Sequence, residues 1–112
     1  MKKILKPWGY EQILEKNKDY MFKKLFMKKG HRCSLQFHRK KIETLFVIKG
    51  MIKLVIIKKK KKINKTLINN DFYTLPIKTI HRMEALVDSY YLESSSPHID
   101  DVVRLSDDYR RK

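Results

Sequence analysis

Apolar residues recur at every second position through most of the chain, in short runs bounded by Gly, Asn, Asp or Lys clusters. That period sends successive side chains to opposite faces of an extended backbone, so it predicts many short, half-buried strands rather than amphipathic helices. The runs place strands over 10–15, 20–28, 34–38, 43–49, 51–57, 63–68, 71–75, 81–85 and 90–95. Lys58 to Lys62 reads as a solvated hairpin tip whose like charges discourage edge pairing, and Asn69-Asn70-Asp71 as a turn tolerant of left-handed backbone. Strands recurring about every ten residues favour a sandwich or barrel. The polar stretch from Asp100 to Arg111, with Val102, Val103 and Leu105 interspersed, reads as a short helix or a tail strapped over that barrel.

Composition narrows the picture. A chain of 112 residues suits one domain over residues 1–112 with one core, and 42% hydrophobic residues are too many for disorder despite a net charge of +15. No apolar run approaches the ~20 residues needed to cross a bilayer, and Lys2-Lys3-Ile4-Leu5-Lys6-Pro7 is no signal-peptide core, so a cytoplasmic protein without membrane contact is the expectation. Cys33 is the only cysteine, which excludes an intramolecular disulfide and cysteine-rich zinc knuckles and leaves oxygen and imidazole as metal ligands. Cys33 itself reads as a small buried filler, and His31 and His98 as loop or surface residues.

The excess of 27 Lys and Arg over 12 Asp and Glu could mark a binder of nucleic acid or acidic membrane. Most of the excess is Lys spread over turns and strand faces, the pattern of a solvated surface. Nucleic acid is therefore the weakest of the function classes considered.

Candidate chemistry lies between Gly30 and Gly50. Five residues separate Gly30 from Gln36, then come Phe37 and His38, then four residues lead to Glu43 and six more to Gly50. On an extended strand Ser34, Gln36 and His38 share a face, and a turn through 39–41 returns the chain so that Glu43 can face them. A second half-motif runs from Asn70 through Pro76 to His81. Two imidazoles, one carboxylate and a neutral amide oxygen suit a divalent transition metal with open coordination positions. Lys23 shares a strand face with Leu25 and Met27, so it is expected inside the barrel. A buried lysine is costly without a partner or a task, and here it could bind substrate oxygens or relay a proton. Arg82, beside His81, should point to the opposite face, and Trp8-Gly9-Tyr10 should anchor the N-terminal segment.

The spacing of these residues resembles the two motifs of the cupin superfamily, implying an all-β, single-domain double-stranded β-helix, or jelly-roll barrel. Gln36-Phe37-His38 with Glu43, together with Lys6-Pro7-Trp8-Gly9-Tyr10, Lys23 ahead of Lys29-Gly30, and Asp100-Asp101-Val102-Val103-Arg104 leading to Tyr109, is similar to the C-terminal isomerase domain of type II mannose-6-phosphate isomerases. The resemblance implies that Gln36, His38, Glu43 and His81 bind a divalent metal, zinc by analogy, and that the substrate is a sugar phosphate, mannose 6-phosphate interconverting with fructose 6-phosphate. It also implies a catalytic role for Arg111, at the end of a tail that reads Tyr109-Arg110-Arg111 where the family has Tyr-Gly-Arg. The chain departs from the motifs at Asn70 and Lys78, where Gly is common, and at Ala85, where Asn is common. The nucleotidyltransferase domain of the type II enzymes is not among these residues, so a stand-alone relative is expected, and single-domain cupins often pair as homodimers. The alternative function is a non-catalytic sugar-binding metal cupin. Iron-dependent oxygenation is a third reading, disfavoured by Gln36 in place of His.

Overall fold

A computed structural model describes residues 2–98 and 100–111. Eleven strands are found among them: β1 (Lys3–Lys6), β2 (Gly9–Lys16), β3 (Met21–Met27), β4 (Leu35–Phe37), β5 (Glu43–Lys49), β6 (Met51–Lys58), β7 (Lys61–Ile68), β8 (Phe72–Leu75), β9 (Ile80–Ala85), β10 (Ser89–Ser95) and β11 (Val103–Ser106). They form a six-stranded sheet ordered β1-β2-β3-β10-β5-β8 and a five-stranded sheet ordered β11-β4-β9-β6-β7. All pairings within the two sheets are antiparallel. The all-β expectation holds.

The period-two pattern decides which side chains meet inside. Along β3 the buried residues are Met21, Lys23, Leu25 and Met27, alternating with half-buried Phe22, Lys24 and Phe26. The same alternation buries Glu43, Leu45 and Val47 on β5, His81, Met83 and Ala85 on β9, and Ser89, Tyr91, Glu93 and Ser95 on β10. Register then sorts the interior into two halves. Tyr91 lies opposite Leu25 and Val47, whereas Glu93 lies opposite Lys23 and Leu45, and Gln36 lies opposite His81. An apolar half with Trp8, Leu54, Met83 and Tyr91 thus adjoins a polar half with Lys23, Gln36, Glu43 and Glu93. The apolar half supplies the transfer free energy, at about 25 cal/mol per Å² removed from water, that offsets the cost of burying the charges beside it.

The tight turns show where backbone shape overrides side-chain preference. The lysine run is not all turn: Lys61 and Lys62 begin β7, and the two-residue turn is Lys59-Lys60, both left-handed at φ 51° and 62°. A turn of that shape matches the right-handed twist of the flanking strands, which imposes the conformation even on lysine. Gly50 joins β5 to β6 at φ 125°, where an added Cβ would come within 2.3 Å of Ser89 Oγ. Residues 103–106 pair with β4, so the tail is a strap with its own strand and not a helix. β1 lies outside the predicted runs because Lys3, Ile4, Leu5 and Lys6 do not alternate. It is an edge strand whose Leu5 is 82% exposed.

Candidate metal centre

Three strands and one loop bring the predicted ligands together. Gln36 comes from β4, His38 from just beyond it, Glu43 from the start of β5 and His81 from β9. Glu43 Oε1 stands 3.5 Å from His38 Nε2 and 3.3 Å from His81 Nε2, and the three ligand atoms lie within 4.8 Å of one another. All three side chains are buried. Gln36 lines the same cavity, where its Oε1 accepts a 2.5 Å hydrogen bond from Ser34 Oγ and keeps a second lone pair.

The far side of each imidazole fixes its chemistry. His38 Nδ1 meets the backbone carbonyl of Asp101, and His81 Nδ1 lies 2.9 Å from the carbonyl of Thr79. A carbonyl oxygen can only accept, so each Nδ1 must be the donor. In the neutral rings both Nε2 atoms then present lone pairs toward the Glu43 carboxylate, and among the described residues neither makes a hydrogen bond. Three electron-pair donors facing one point in a buried site require a cation or added protons between them. This carbonyl-bonded imidazole arrangement is the one that orients histidine metal ligands, and the residues fit a divalent ion.

The same geometry shifts the ionisable groups around Glu43. Burial works against a charged His38, but Glu43 and the Asp101 carbonyl raise its pKa. Burial also opposes ionisation of Glu43, yet the two facing imidazoles of His38 and His81 and the charge of Lys41 hold its carboxyl well below the usual range.

Lys41 and Glu93 are the residues that sequence reasoning missed. Lys41 Nζ lies 3.3 Å from Glu43 Oε2 and 3.2 Å from Glu93 Oε1, with all three side chains buried. Burial alone would lower the Lys41 pKa; Glu93 and Glu43 overcome it and hold the ammonium above its ordinary value. The Glu93 carboxyl is also raised, first by burial and then by the charge of Glu43. The available signal was alternation: Lys41 and Glu43 are two residues apart and share a face, as do Tyr91 and Glu93.

Lys23 is inside the barrel as expected, 3.5 Å from Glu11 Oε2, and Lys6 approaches the other oxygen of Glu11 at 3.9 Å. Arg111 is on the cavity wall, its guanidinium paired with Asp107 through Nε at 2.9 Å. Arg82 points away from the site, as alternation requires. It is a tether rather than a free surface cation, since its Nε donates to the Cys33 carbonyl at 2.9 Å. Cys33 is core filler, its thiol pushed by burial to a pKa of about 11. His98 is exposed, while His31 is half-buried against Tyr109 Oη at 2.7 Å.

The cavity, of about 410 Å³, is lined by Gln36, His38 and Glu43 at the ligand group and by Lys6, Lys23 and Arg111 elsewhere. His81 is not among the residues that line it; its Nε2 lies 3.3 Å from Glu43 Oε1.

Two packed antiparallel sheets with a His-Glu-His group inside define a cupin barrel. The chain belongs to the family described as mannose-6-phosphate isomerase C-terminal, whose model matches residues 1–107. Among solved structures, KdgF from Halomonas sp. superimposes with a TM-score of 0.76 at 20% identity, covering 89% of this chain and 89% of that one. An RmlC-like cupin from Shewanella frigidimarina gives 0.75 at 16%, covering 88% and 84%. The capsular polysaccharide assembling protein CapF from Staphylococcus aureus gives 0.82 at 16%, covering 93% of this chain but only 31% of CapF. These likenesses establish the fold. Among curated proteins none matches the sequence.

Proposed function

We propose that this protein is a metal-dependent aldose–ketose isomerase acting on a small sugar phosphate, with mannose 6-phosphate and fructose 6-phosphate as the first pair to test. The observation that carries the reading is the convergence of His38 Nε2, His81 Nε2 and Glu43 Oε1 beside a cavity that Lys6, Lys23 and Arg111 also line. Two nitrogens and one carboxylate oxygen, with Gln36 as a neutral fourth donor, suit zinc. Bound there, the metal would supply Lewis acidity toward a sugar oxygen.

The remaining tasks fall to the chain's own side chains. Isomerisation moves a proton between adjacent carbons, so it needs a group that can take and return one. Glu93 is the carboxyl whose pKa burial raises toward that task, and Lys41 beside it holds a proton firmly and can stabilise an anionic oxygen. Lys23 orients substrate hydroxyls. Lys6 and Lys23 share the single carboxylate of Glu11, which leaves that end of the cavity with a surplus of positive charge for a phosphate. Arg111 adds a planar, two-pronged partner for the same group. The cavity volume is within the range of small-molecule sites.

The test is a coupled assay of mannose 6-phosphate conversion by metal-analysed protein, beside a Glu43→Gln variant. Turnover that disappears in the variant supports the isomerase. Bound metal without turnover on a panel of hexose and pentose phosphates would replace it with the binding-only cupin.

A further inference from the structure

The C-terminal strap does more than close the barrel. Asp101 touches the site segment in two ways. Its backbone carbonyl accepts from His38 Nδ1, and its carboxylate accepts from three consecutive backbone amides: Arg39 at 3.2 Å, Lys40 at 2.6 Å and Lys41 at 2.9 Å. Those amides belong to the turn that links His38 to Glu43. The sequence between the two ligands offers no other side chain to satisfy them, since residues 39–42 read Arg-Lys-Lys-Ile. Two residues further on, β11 pairs with β4, placing Val103 opposite Phe37 and Arg104 opposite Gln36. The strap therefore runs alongside the strand that carries Gln36 and caps the turn that carries His38 toward Glu43.

From this geometry we infer that Asp101 is a positioning residue for the metal ligands, and that docking of the 100–111 strap and metal binding are thermodynamically linked. The inference rests on the metal reading above. A carboxylate clamped on three amides fixes where its own carbonyl sits, and that carbonyl sets the tautomer and ring plane of His38. Groups of this kind behind a ligand histidine typically change metal affinity by roughly tenfold to a hundredfold when removed. Linkage is reciprocal, so whatever factor the docked strap adds to metal affinity, the metal returns to strap docking.

Cobalt(II) is the probe, because its d–d absorption reports ligand geometry without turnover. Wild type, Asp101→Ala and Asp101→Asn are titrated with cobalt, and amide exchange of 39–41 and 100–111 is followed with and without the metal. Gly50→Ala, at the far end of β5, serves as a destabilised comparison with an intact strap. Wild type should bind cobalt and gain exchange protection in both segments on loading. Asp101→Ala should bind at least tenfold more weakly, with an altered spectrum and no gain in protection. Asp101→Asn, which keeps one neutral acceptor oxygen, should fall between, and Gly50→Ala should keep the wild-type spectrum. Cobalt affinity in Asp101→Ala within twofold of wild type, or strap exchange indifferent to metal, would overturn the linkage while leaving the metal site standing. A wild type that binds no cobalt would remove the metal reading and the linkage together.

Discussion

The Nζ atom of Lys41 lies 3.3 Å from Glu43 Oε2, so the carboxylate that faces both site histidines is held from behind by a buried cation. That cation also serves Glu93 at 3.2 Å, which makes it the common partner of two buried carboxylates. Breaking a buried charge network from one side costs about 3–5 kcal/mol, because the partners keep their charge without compensation. Lys41→Met should therefore lower the stability of the metal-free protein by about that amount in urea unfolding. Lys41→Arg, retaining the charge, should cost less than half as much. Equal losses in the two variants would show that side-chain fit, not charge, is what Lys41 provides.

A second expectation concerns three positions where the family motifs favour glycine. Asn70, Lys78 and the Arg110 of the tail all adopt left-handed backbone, at φ 72°, 62° and 57°. The chain keeps the glycine backbone shape at each of them. Asn adopts it at small cost, whereas Lys and Arg incur about 1–2 kcal/mol, partly offset by the greater chain entropy glycine would lose on folding. Lys78→Gly and Arg110→Gly should each raise stability by about 0.5–1 kcal/mol, and Asn70→Gly should change it little. Thermal midpoints of the three variants test the ordering. A destabilised Lys78→Gly would mean that the lysine side chain contributes more than its backbone costs.

Those three residues also show what the sequence could and could not disclose. Spacing grouped the candidate ligands, because alternation along β4 and just beyond it, and along β9, turns Gln36, His38 and His81 to one side of their strands. Lys23 was legible for the same reason. Lys41 and Glu93 were harder to read because a lysine in a Lys-rich turn and a glutamate beside two serines look like surface residues; alternation with Glu43 and Tyr91 was the one signal against that, and register places Glu93 opposite Lys23 and Leu45. β1 and β11 were hidden because edge strands bury little and need no strict alternation. The lysine turn was read too long because its conformation is imposed by strand twist, which leaves no compositional mark.

Acid should loosen the strap before it unfolds the barrel. Asp107 and Asp108 both ionise below the ordinary carboxylate range, the first chiefly through hydrogen bonding to Arg111 and the second chiefly to Arg32. A depressed folded pKa means that the stabilisation is complete above the unfolded value, about 3.9, and is lost as pH falls through the folded one. Amide exchange of residues 107–111 should therefore accelerate on acidification below about pH 4, ahead of the β5 and β10 core. In Asp107→Asn with Asp108→Asn that acid step should be absent and the strap already loose at neutral pH. A wild-type strap that keeps its protection until the whole barrel unfolds would count against these two ion pairs as its fastening.

The last expectation separates metal binding from substrate binding. Arg111 touches none of the proposed ligands; it is on the cavity wall, with Asp107 holding its Nε and one terminal nitrogen at 2.9 and 3.1 Å. Its guanidinium is thereby oriented while a further edge stays open to an anion, and only arginine offers that two-pronged geometry. Arg111→Lys keeps the charge and loses the fork. Hydrogen bonds to charged groups contribute about 1.5–3 kcal/mol, so the substrate's KM, or its Kd where turnover is absent, should rise roughly tenfold to a hundredfold. Metal content should stay at the wild-type level. Glu43→Gln should do the reverse and lose metal first, because it removes the negative charge that two imidazole nitrogens face. If Arg111→Lys instead leaves substrate affinity unchanged and lowers only the thermal midpoint, then its pairing with Asp107 is a fastening of the strap, and the phosphate is read by Lys6 and Lys23 alone.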